Sequence, residues 1–161
     1  DFKMDSHRYF SFETTPKVGR TIACNLAKAK MRVDIASEIS ATISQEVTTW
    51  TDGNADIDEN NPSVEDLKEF VDSYLSERIH GTIIGASIKK TYWEKRFYLK
   101  DLGAKSDYSG FTCAVFVKIP KKSLERSIDV ARAKIEEQKW PDLSKEQINE
   151  ILTRAKKNLT K

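Results

Sequence analysis

The sequence predicts an α+β fold in which a small antiparallel sheet of about three strands is covered by one long helix. Three stretches support this prediction: a long run of helical periodicity at 21–47, a strictly alternating stretch at 111–119, and a segment rich in strand formers at 86–98. A helix and a sheet that each carry one apolar face bury those faces against each other. The chain has 161 residues, which suits a single domain with a core of its own.

The chain begins with a short predicted strand and continues into the longest predicted helix. His7 to Glu13 is aromatic and apolar, and the turn sequence TTPKVG follows. The run from Thr21 to Val47 has no Gly or Pro, and at about 1.5 Å per residue it is roughly 40 Å long. We expect it to be the element on which the rest packs. Its predicted buried stripe comprises Ile22, Leu26, Ala29, Val33, Ala36, Ser40, Ile43 and Val47, with Ile35 and Ile39 beside it.

A polar loop and a second helix come next. Residues 51–62 include four acids, a glycine and a proline, so they predict a mobile acidic loop. Ser63 suits the N-cap of a helix that ends near His80, with Asp66 three residues further on. The predicted apolar face of this helix comprises Val64, Leu67, Phe70, Val71, Tyr74 and Leu75.

Two strands joined by a polar connection follow, and they predict an antiparallel pair. In Phe111 to Ile119 every second residue is apolar, which makes this the clearest strand of the sequence. The other strand, Ala86 to Tyr98, is rich in residues that favour extended structure. Its regular alternation predicts two faces, one with Ile88 and Tyr92 and the other with Trp93 and Phe97.

Two helices close the chain. Pro120 opens a third helix with one apolar face, and Trp140-Pro141 ends it. Ser144 begins a fourth helix, with a capping box to Gln147. We therefore expect one domain over residues 1–140, and a C-terminal helix in 141–161 that docks on this domain or on a neighbouring subunit. The apolar stripe of that helix comprises Ile148, Ile151, Leu152, Ala155 and Leu159.

Composition narrows the possible classes. The 27 basic residues nearly balance 25 acidic ones, and a net charge of +2 does not indicate a general binder of polyanions. Cys24 and Cys113 lie within apolar patterns, which favours two buried, reduced cysteines, with a structural disulfide as the alternative. Because Asp1 is not a natural start, we expect that a leader or lipid anchor precedes this chain.

No motif of the sequence predicts catalysis, a cofactor or a metal site. His7 and His80 lack partners at the ligand spacing of a zinc site. The segment GTIIG at 81–85 lacks the Lys-Ser/Thr ending of a phosphate loop. The acidic residues of 52–59 lack the central Gly and terminal Glu of an EF-hand. The chain is therefore predicted not to be an enzyme.

One segment of the predicted hairpin interleaves positive charge with aromatic rings, in the sequence KKTYWEKRFY. RNA-recognition sheets stack bases on aromatic side chains in this way, although a solvated face or a protein interface gives the same pattern. Gly110-Phe111 begins like the central motif of such sheets, but Thr112 and Cys113 depart from it, which disfavours nucleic acid. The candidate partner-contact residues are Tyr92, Trp93 and Arg96 on this segment, and Ile148, Leu152 and Leu159 on the last helix.

The segment RYFSFETTPKVGRTIACNLAKAKMRVDIASEISATISQEV resembles the start of the Lpp-twenty lipoprotein family of bacterial cell envelopes. In that family a short aromatic segment precedes a long helix rich in Ala. Tyr92-Trp93 and FTCAVFVKIP continue the resemblance, which spans roughly Arg8 to Glu136. The lipobox cysteine is not in this chain, and the helix Ser144 to Leu159 extends beyond the usual end of the family.

The resemblance implies a lipid-anchored protein on the periplasmic side of the outer membrane, without known enzymatic activity. Some relatives, such as the flagellar outer-membrane protein P, assemble into rings or discs around the flagellar motor. We therefore expect a non-enzymatic envelope domain that binds protein, with copies of itself as the expected partner and no cofactor. The physical motive is an uncovered sheet face together with the apolar stripe of the last helix, because exposed apolar patches usually mark contacts. A single-stranded nucleic-acid-binding sheet is the alternative.

Overall fold

A computed structural model describes residues 6–53 and 61–161, and in them it shows the predicted α+β architecture. The elements in chain order are β1 (His7–Glu13), α1 (Arg20–Asp52), α2 (Pro62–Phe70), α3 (Ser76–Ile79), β2 (Ser87–Tyr98), β3 (Tyr108–Pro120), α4 (Lys121–Glu136) and α5 (Lys145–Leu159). A π-helical segment, Val71–Leu75, joins α2 to α3. Most of the predicted acidic loop, residues 54–60, lies outside the described residues.

The sheet has three antiparallel strands in the order β1-β3-β2, so β3 is the central strand. The alternation predicted for β3 is confirmed, because Cys113, Val115, Val117 and Ile119 are fully buried. These side chains face α1, which packs on this side of the sheet. The long helix and the central strand thus form the core, as the sequence predicts.

A bulge in β2 overturns the predicted faces of that strand. Ile88 pairs with Val117, but the next residue in register with β3 is Lys90, opposite Phe116. Lys89 is therefore an extra residue, and it moves every following side chain to the other face of the sheet. As a result Ile88 lies on the α1 side of the sheet and Tyr92 on the opposite side, although regular alternation predicted that they share a face.

The predicted buried stripe of α1 is right in its second half and wrong in its first. Ile35, Ala36, Ile39, Ser40, Ile43 and Val47 are buried as predicted. In the first turns Ala23 and Ala27 are buried instead, whereas Ile22 and Val33 are 60% and 41% exposed, and Ala29 is exposed. Small side chains let the start of α1 approach β3 closely, and this close approach fixes which side of the helix faces the sheet.

The two cysteines form a disulfide, so the favoured prediction of two reduced cysteines is wrong. Cys24 lies near the start of α1 and Cys113 on β3, with their Cα atoms 5.0 Å apart and 89 residues apart in sequence. The same close approach that buries Ala23 and Ala27 brings the two sulfur atoms together. The disulfide joins the long helix to the central strand.

The second helix begins two residues earlier than predicted. Asn61 is its N-cap, because its side-chain oxygen accepts a hydrogen bond from the backbone N–H of Ser63 at 2.9 Å, and Pro62 occupies the first turn. Ser63, the predicted N-cap, is instead buried and donates its hydroxyl to Asp142 at 3.3 Å. Tyr74, predicted on the buried face, is 51% exposed.

The C-terminal helix docks on its own domain. The predicted capping box between Ser144 and Gln147 is present. The indole N–H of Trp50 donates to a carboxylate oxygen of Glu150 at 3.2 Å, and the guanidinium of Arg8 donates to the backbone oxygen of Leu159. The predicted stripe is buried against the same chain, so a partner cannot reach three of the candidate contact residues: Ile148, Leu152 and Leu159.

Candidate protein-contact surface

One face of the sheet is left uncovered by the described helices, and we call it the open face. The register assigns alternate residues of each strand to it, because residues paired across strands share a face. Tyr9, Tyr92 and Phe116 are 46%, 65% and 42% exposed there. The other members of the open face include Ser11, Glu13, Lys90, Glu94, Arg96, Tyr98, Tyr108, Ala114 and Lys118.

Aromatic rings on the open face are stacked in two pairs. Tyr9 of β1 and Phe116 of β3 lie with ring centroids 5.5 Å apart and an interplanar angle of 12°. Tyr98 and Tyr108, at the other end of the β2–β3 hairpin, stack at 4.6 Å and 13°. Such pairs hold their rings in one orientation. The open face therefore presents ordered aromatic surface to solvent.

Arg96 ties the strands together across the open face. Its guanidinium donates to Glu94 on the same strand and, at 2.7 Å, to Glu13 at the end of β1. The hydrogen bond to Glu94 raises the pKa of Arg96, and the nearby charge of Glu13 adds to this effect. Arg96 therefore lies on an exposed surface as predicted, but its guanidinium already has two carboxylate partners.

A cluster of three basic residues lies at the end of the open face opposite the tyrosine pair Tyr98–Tyr108. The pKa of His7 is lowered by desolvation, and then by the positive charges of Lys118 and Lys89. His7 and Lys118 are on β1 and β3, and Lys89 is the bulged residue of β2. Positive charge is thus concentrated near this end, whereas the Arg96 network further along the face carries a net charge of −1.

Trp93 does not belong to the open face. Its register partner is Cys113, so its side chain lies on the α1 side of the sheet, 43% exposed. The guanidinium of Arg20 lies 4.8 Å from the centroid of its ring, and the ring of Phe111 lies 6.0 Å away. The neighbouring candidates Tyr92 and Trp93 therefore face opposite sides, and a single flat partner could not contact both.

Sequence reasoning missed Tyr9 and Tyr108 as members of this surface. Both residues alternate with the inward positions of their strands, so the same period-2 pattern that predicted the core could have found them. What the pattern lacked was the strand order. Only the central place of β3 shows that Tyr9 and Tyr92 flank Phe116 on one face.

Comparisons of the chain with protein-family models, with curated proteins and with solved structures found no match in any of the three. The resemblance to the Lpp-twenty family therefore stays a prediction from the sequence. In residues 6–53 and 61–161, no cluster of three or more His, Cys, Asp or Glu side chains could hold a metal ion. The helices of this described part include none that is long and apolar enough to cross a bilayer.

Proposed function

We propose that this chain is a non-enzymatic domain of the bacterial cell envelope, facing the periplasm, that works by binding protein through its open face. The proposed partner is a second copy of the chain. The observation that carries the proposal is the exposure of Tyr9, Tyr92 and Phe116 on a sheet face that the described helices leave bare. Exposed apolar surface of this kind usually marks a contact site.

Self-association suits the composition of the open face. Homo-oligomers most often form by a two-fold axis, which places the same patch of both copies in contact. Aromatic side chains supply the contact area of such interfaces, and charged groups without a partner are disfavoured at their centre. Arg96 already has two carboxylate partners, so covering it would not bury an unpaired guanidinium, and the three groups together carry a net charge of −1. Stacked rings lose little freedom when a partner covers them.

The disulfide supports the proposed location. Disulfides persist in oxidising compartments, of which the bacterial periplasm is one, and they are rare in the cytosol. Cys24 and Cys113 are the only two cysteines of the sequence, and both are in the bond. We propose that the domain is held at the outer membrane by a lipid anchor outside this chain. Its assembly would then be an outer-membrane-associated structure, of which flagellar-motor rings are one example.

Sedimentation velocity over a range of protein concentrations tests the self-association. The wild type is expected to move to a faster-sedimenting species as concentration rises, because the open faces meet. A double variant, Tyr92→Ser with Phe116→Ser, is expected to sediment as a monomer throughout. Tyr74→Ser is the matched control, since Tyr74 is similarly exposed but lies in the helical layer. A wild type that is monomeric at every concentration, or a double variant that associates as the wild type does, would contradict the proposal.

Single-stranded nucleic acid is the second candidate partner, because Lys90 and Lys118 lie among the same aromatic side chains. Base stacking on exposed rings beside cations is how such strands are bound without sequence preference. Band-shift experiments with labelled single strands at low salt discriminate the two functions. Binding that weakens steeply with salt and is lost in Tyr92→Ser would favour nucleic acid. Self-association through the open face predicts no shift.

A further inference from the structure

The far end of the β2–β3 hairpin is exposed on both of its faces. We call residues 95–109 the hairpin arm, and none of them is buried. Phe97 lies on the α1 side by register, opposite Ser109, yet it is 69% exposed, so α1 does not reach this part of the sheet. The arm is thus a projection of the sheet beyond the helical layer.

The tip of the arm carries two exposed leucines among charged residues. Leu102 is 83% exposed and Leu99 is 44% exposed. Together with Phe97 and the stacked tyrosines Tyr98 and Tyr108 they line an open cleft of about 320 Å³. The turn that carries the leucines is closed by hydrogen bonds, because the backbone oxygen of Leu99 accepts from two N–H groups of the turn, at 3.0 and 3.2 Å. A hydrogen-bonded turn therefore presents large apolar side chains to solvent.

Positive charge lies on the arm, both in its tip turn and near its base. Six cations lie on the arm or beside its base, against four carboxylates: Lys17, Arg20, Lys95, Arg96, Lys100 and Lys105 against Glu13, Glu94, Asp101 and Asp107. The carboxylate of Asp107 is already engaged, since it accepts the backbone N–H of Lys100 at 2.7 Å. In the described part of the chain, Lys100 and Lys105 take part in no ion pair.

We propose that the hairpin arm docks into the surface of an anionic lipid bilayer. Leu99 and Leu102 enter the boundary of the acyl chains, the tyrosine pair lies at the headgroups, and the lysines meet the lipid phosphates. Amphipathic side chains take up this order of depth at membrane interfaces, and positive residues near the surface add electrostatic attraction to anionic lipids.

The arm fits a bilayer better than a protein partner. A projecting turn that carries exposed leucines and lysines together can place the leucines at the acyl boundary while the lysine side chains extend back to the lipid phosphates, whereas a protein partner would need a complementary pocket. The inference goes beyond the proposed function, because it does not require self-association and uses only the hairpin-arm end of the open face. The arm would orient the domain on the membrane to which the proposed anchor attaches it.

Co-sedimentation with vesicles tests this proposal. Vesicles of phosphatidylglycerol and phosphatidylethanolamine are compared with vesicles of phosphatidylcholine alone, using the full chain. Wild-type protein is expected to bind the anionic vesicles more tightly. The double variant Leu99→Ser with Leu102→Ser is expected to lose roughly tenfold or more in partition, because two large apolar side chains no longer leave water. The variant Lys100→Gln with Lys105→Gln is expected to lose roughly fivefold per lysine on anionic vesicles.

Two controls separate this proposal from the proposed function. Ile84→Ser removes a side chain that is 52% exposed just before β2, at the opposite end of the sheet, and it is expected to leave vesicle binding unchanged. The open-face variant Tyr92→Ser with Phe116→Ser is expected to bind vesicles as the wild type does. The proposal would be overturned if the wild type did not bind anionic vesicles, or if the leucine variants bound them as tightly as the wild type does. If the wild type does not bind vesicles and the leucine variants lose self-association, the arm is a protein contact instead.

Discussion

Tyr9 and Phe116 stack across two strands, with ring centroids 5.5 Å apart, on the sheet face that the described helices leave uncovered. Inward neighbours of both residues are buried: Phe10 beside Tyr9, and Val115 and Val117 beside Phe116. One pair of strands thus supplies both the core and an ordered aromatic surface. The fold needs the first of these for stability, and the second is free for contact with a partner.

The disulfide should contribute strongly to stability. Its two cysteines are 89 residues apart, and closing a loop of this length in the unfolded chain is worth about 2–5 kcal/mol. Urea unfolding of the wild type is expected to show this loss of unfolding free energy when reductant is added. The double variant Cys24→Ser with Cys113→Ser serves as the control, since reductant should leave it unaffected. Equal unfolding midpoints for oxidised and reduced wild type would contradict the bond.

Docking of α5 on its own domain makes Leu152 a core residue. Its side chain is fully buried, so Leu152→Ala is expected to cost about 2–5 kcal/mol of unfolding free energy. Leu102→Ala removes the same atoms from an exposed site and should change stability by no more than about 0.5 kcal/mol. Denaturant unfolding measures both. If α5 docked on a neighbouring molecule, the cost of Leu152→Ala would depend on protein concentration, and the structure predicts that it does not.

Gly85 allows the chain to pass close to the junction of β3 and α4. It has a φ of +78°, and a Cβ atom there would lie 2.9 Å from Ser123 Oγ and 3.2 Å from Pro120 Cδ. Gly85→Ala is therefore expected to destabilise the protein by about 1–3 kcal/mol. Gly103→Ala is the matched control, because Gly103 also has a positive φ but nothing lies within 4 Å of its Cβ position. If thermal unfolding showed the same destabilisation for both variants, the predicted clash of the new Cβ atom with Ser123 and Pro120 would be contradicted.

The basic end of the open face should be visible in the titration of His7. Because desolvation and two lysines lower the pKa of His7 below 6.5, the folded protein binds this proton less tightly than the unfolded chain. Its contribution to stability is then complete above pH 6.5 and decreases as pH falls through the folded pKa. NMR titration of Lys118→Met is expected to show the pKa of His7 moving partly back toward 6.5, whereas Lys95→Met on the hairpin arm should not move it. An unchanged pKa in Lys118→Met would remove the electrostatic account.

The local sequence pattern predicted the helices and strands of this fold. It could not predict the features that depend on strand register or on the distance between elements. The alternation of β3 and the capping box of Ser144 depend on neighbouring residues, so the sequence alone predicts them. The extra residue at Lys89 leaves no local signal, yet it reverses the faces of Tyr92 and Trp93. Pairing of Cys24 with Cys113 depends on the distance between α1 and β3, which periodicity does not measure.

The candidate surface was predicted only in part for the same reason. Tyr92 and Arg96 lie on the open face, but Trp93 lies behind it. The apolar stripe of α5 packs in the core of its own chain. The sequence of such a stripe does not show which molecule covers it. Strand order, a non-local property, was needed to bring Tyr9, Tyr92 and Phe116 to one surface.

The most direct test of self-association through the open face is a dilution series followed by heteronuclear NMR of the wild type. The resonances of Tyr9, Tyr92, Phe116 and their neighbours on the open face are expected to shift with concentration, while those of the helical layer around Tyr74 stay in place. Spectra that do not change with concentration, or shifts confined to the helices, would contradict the account.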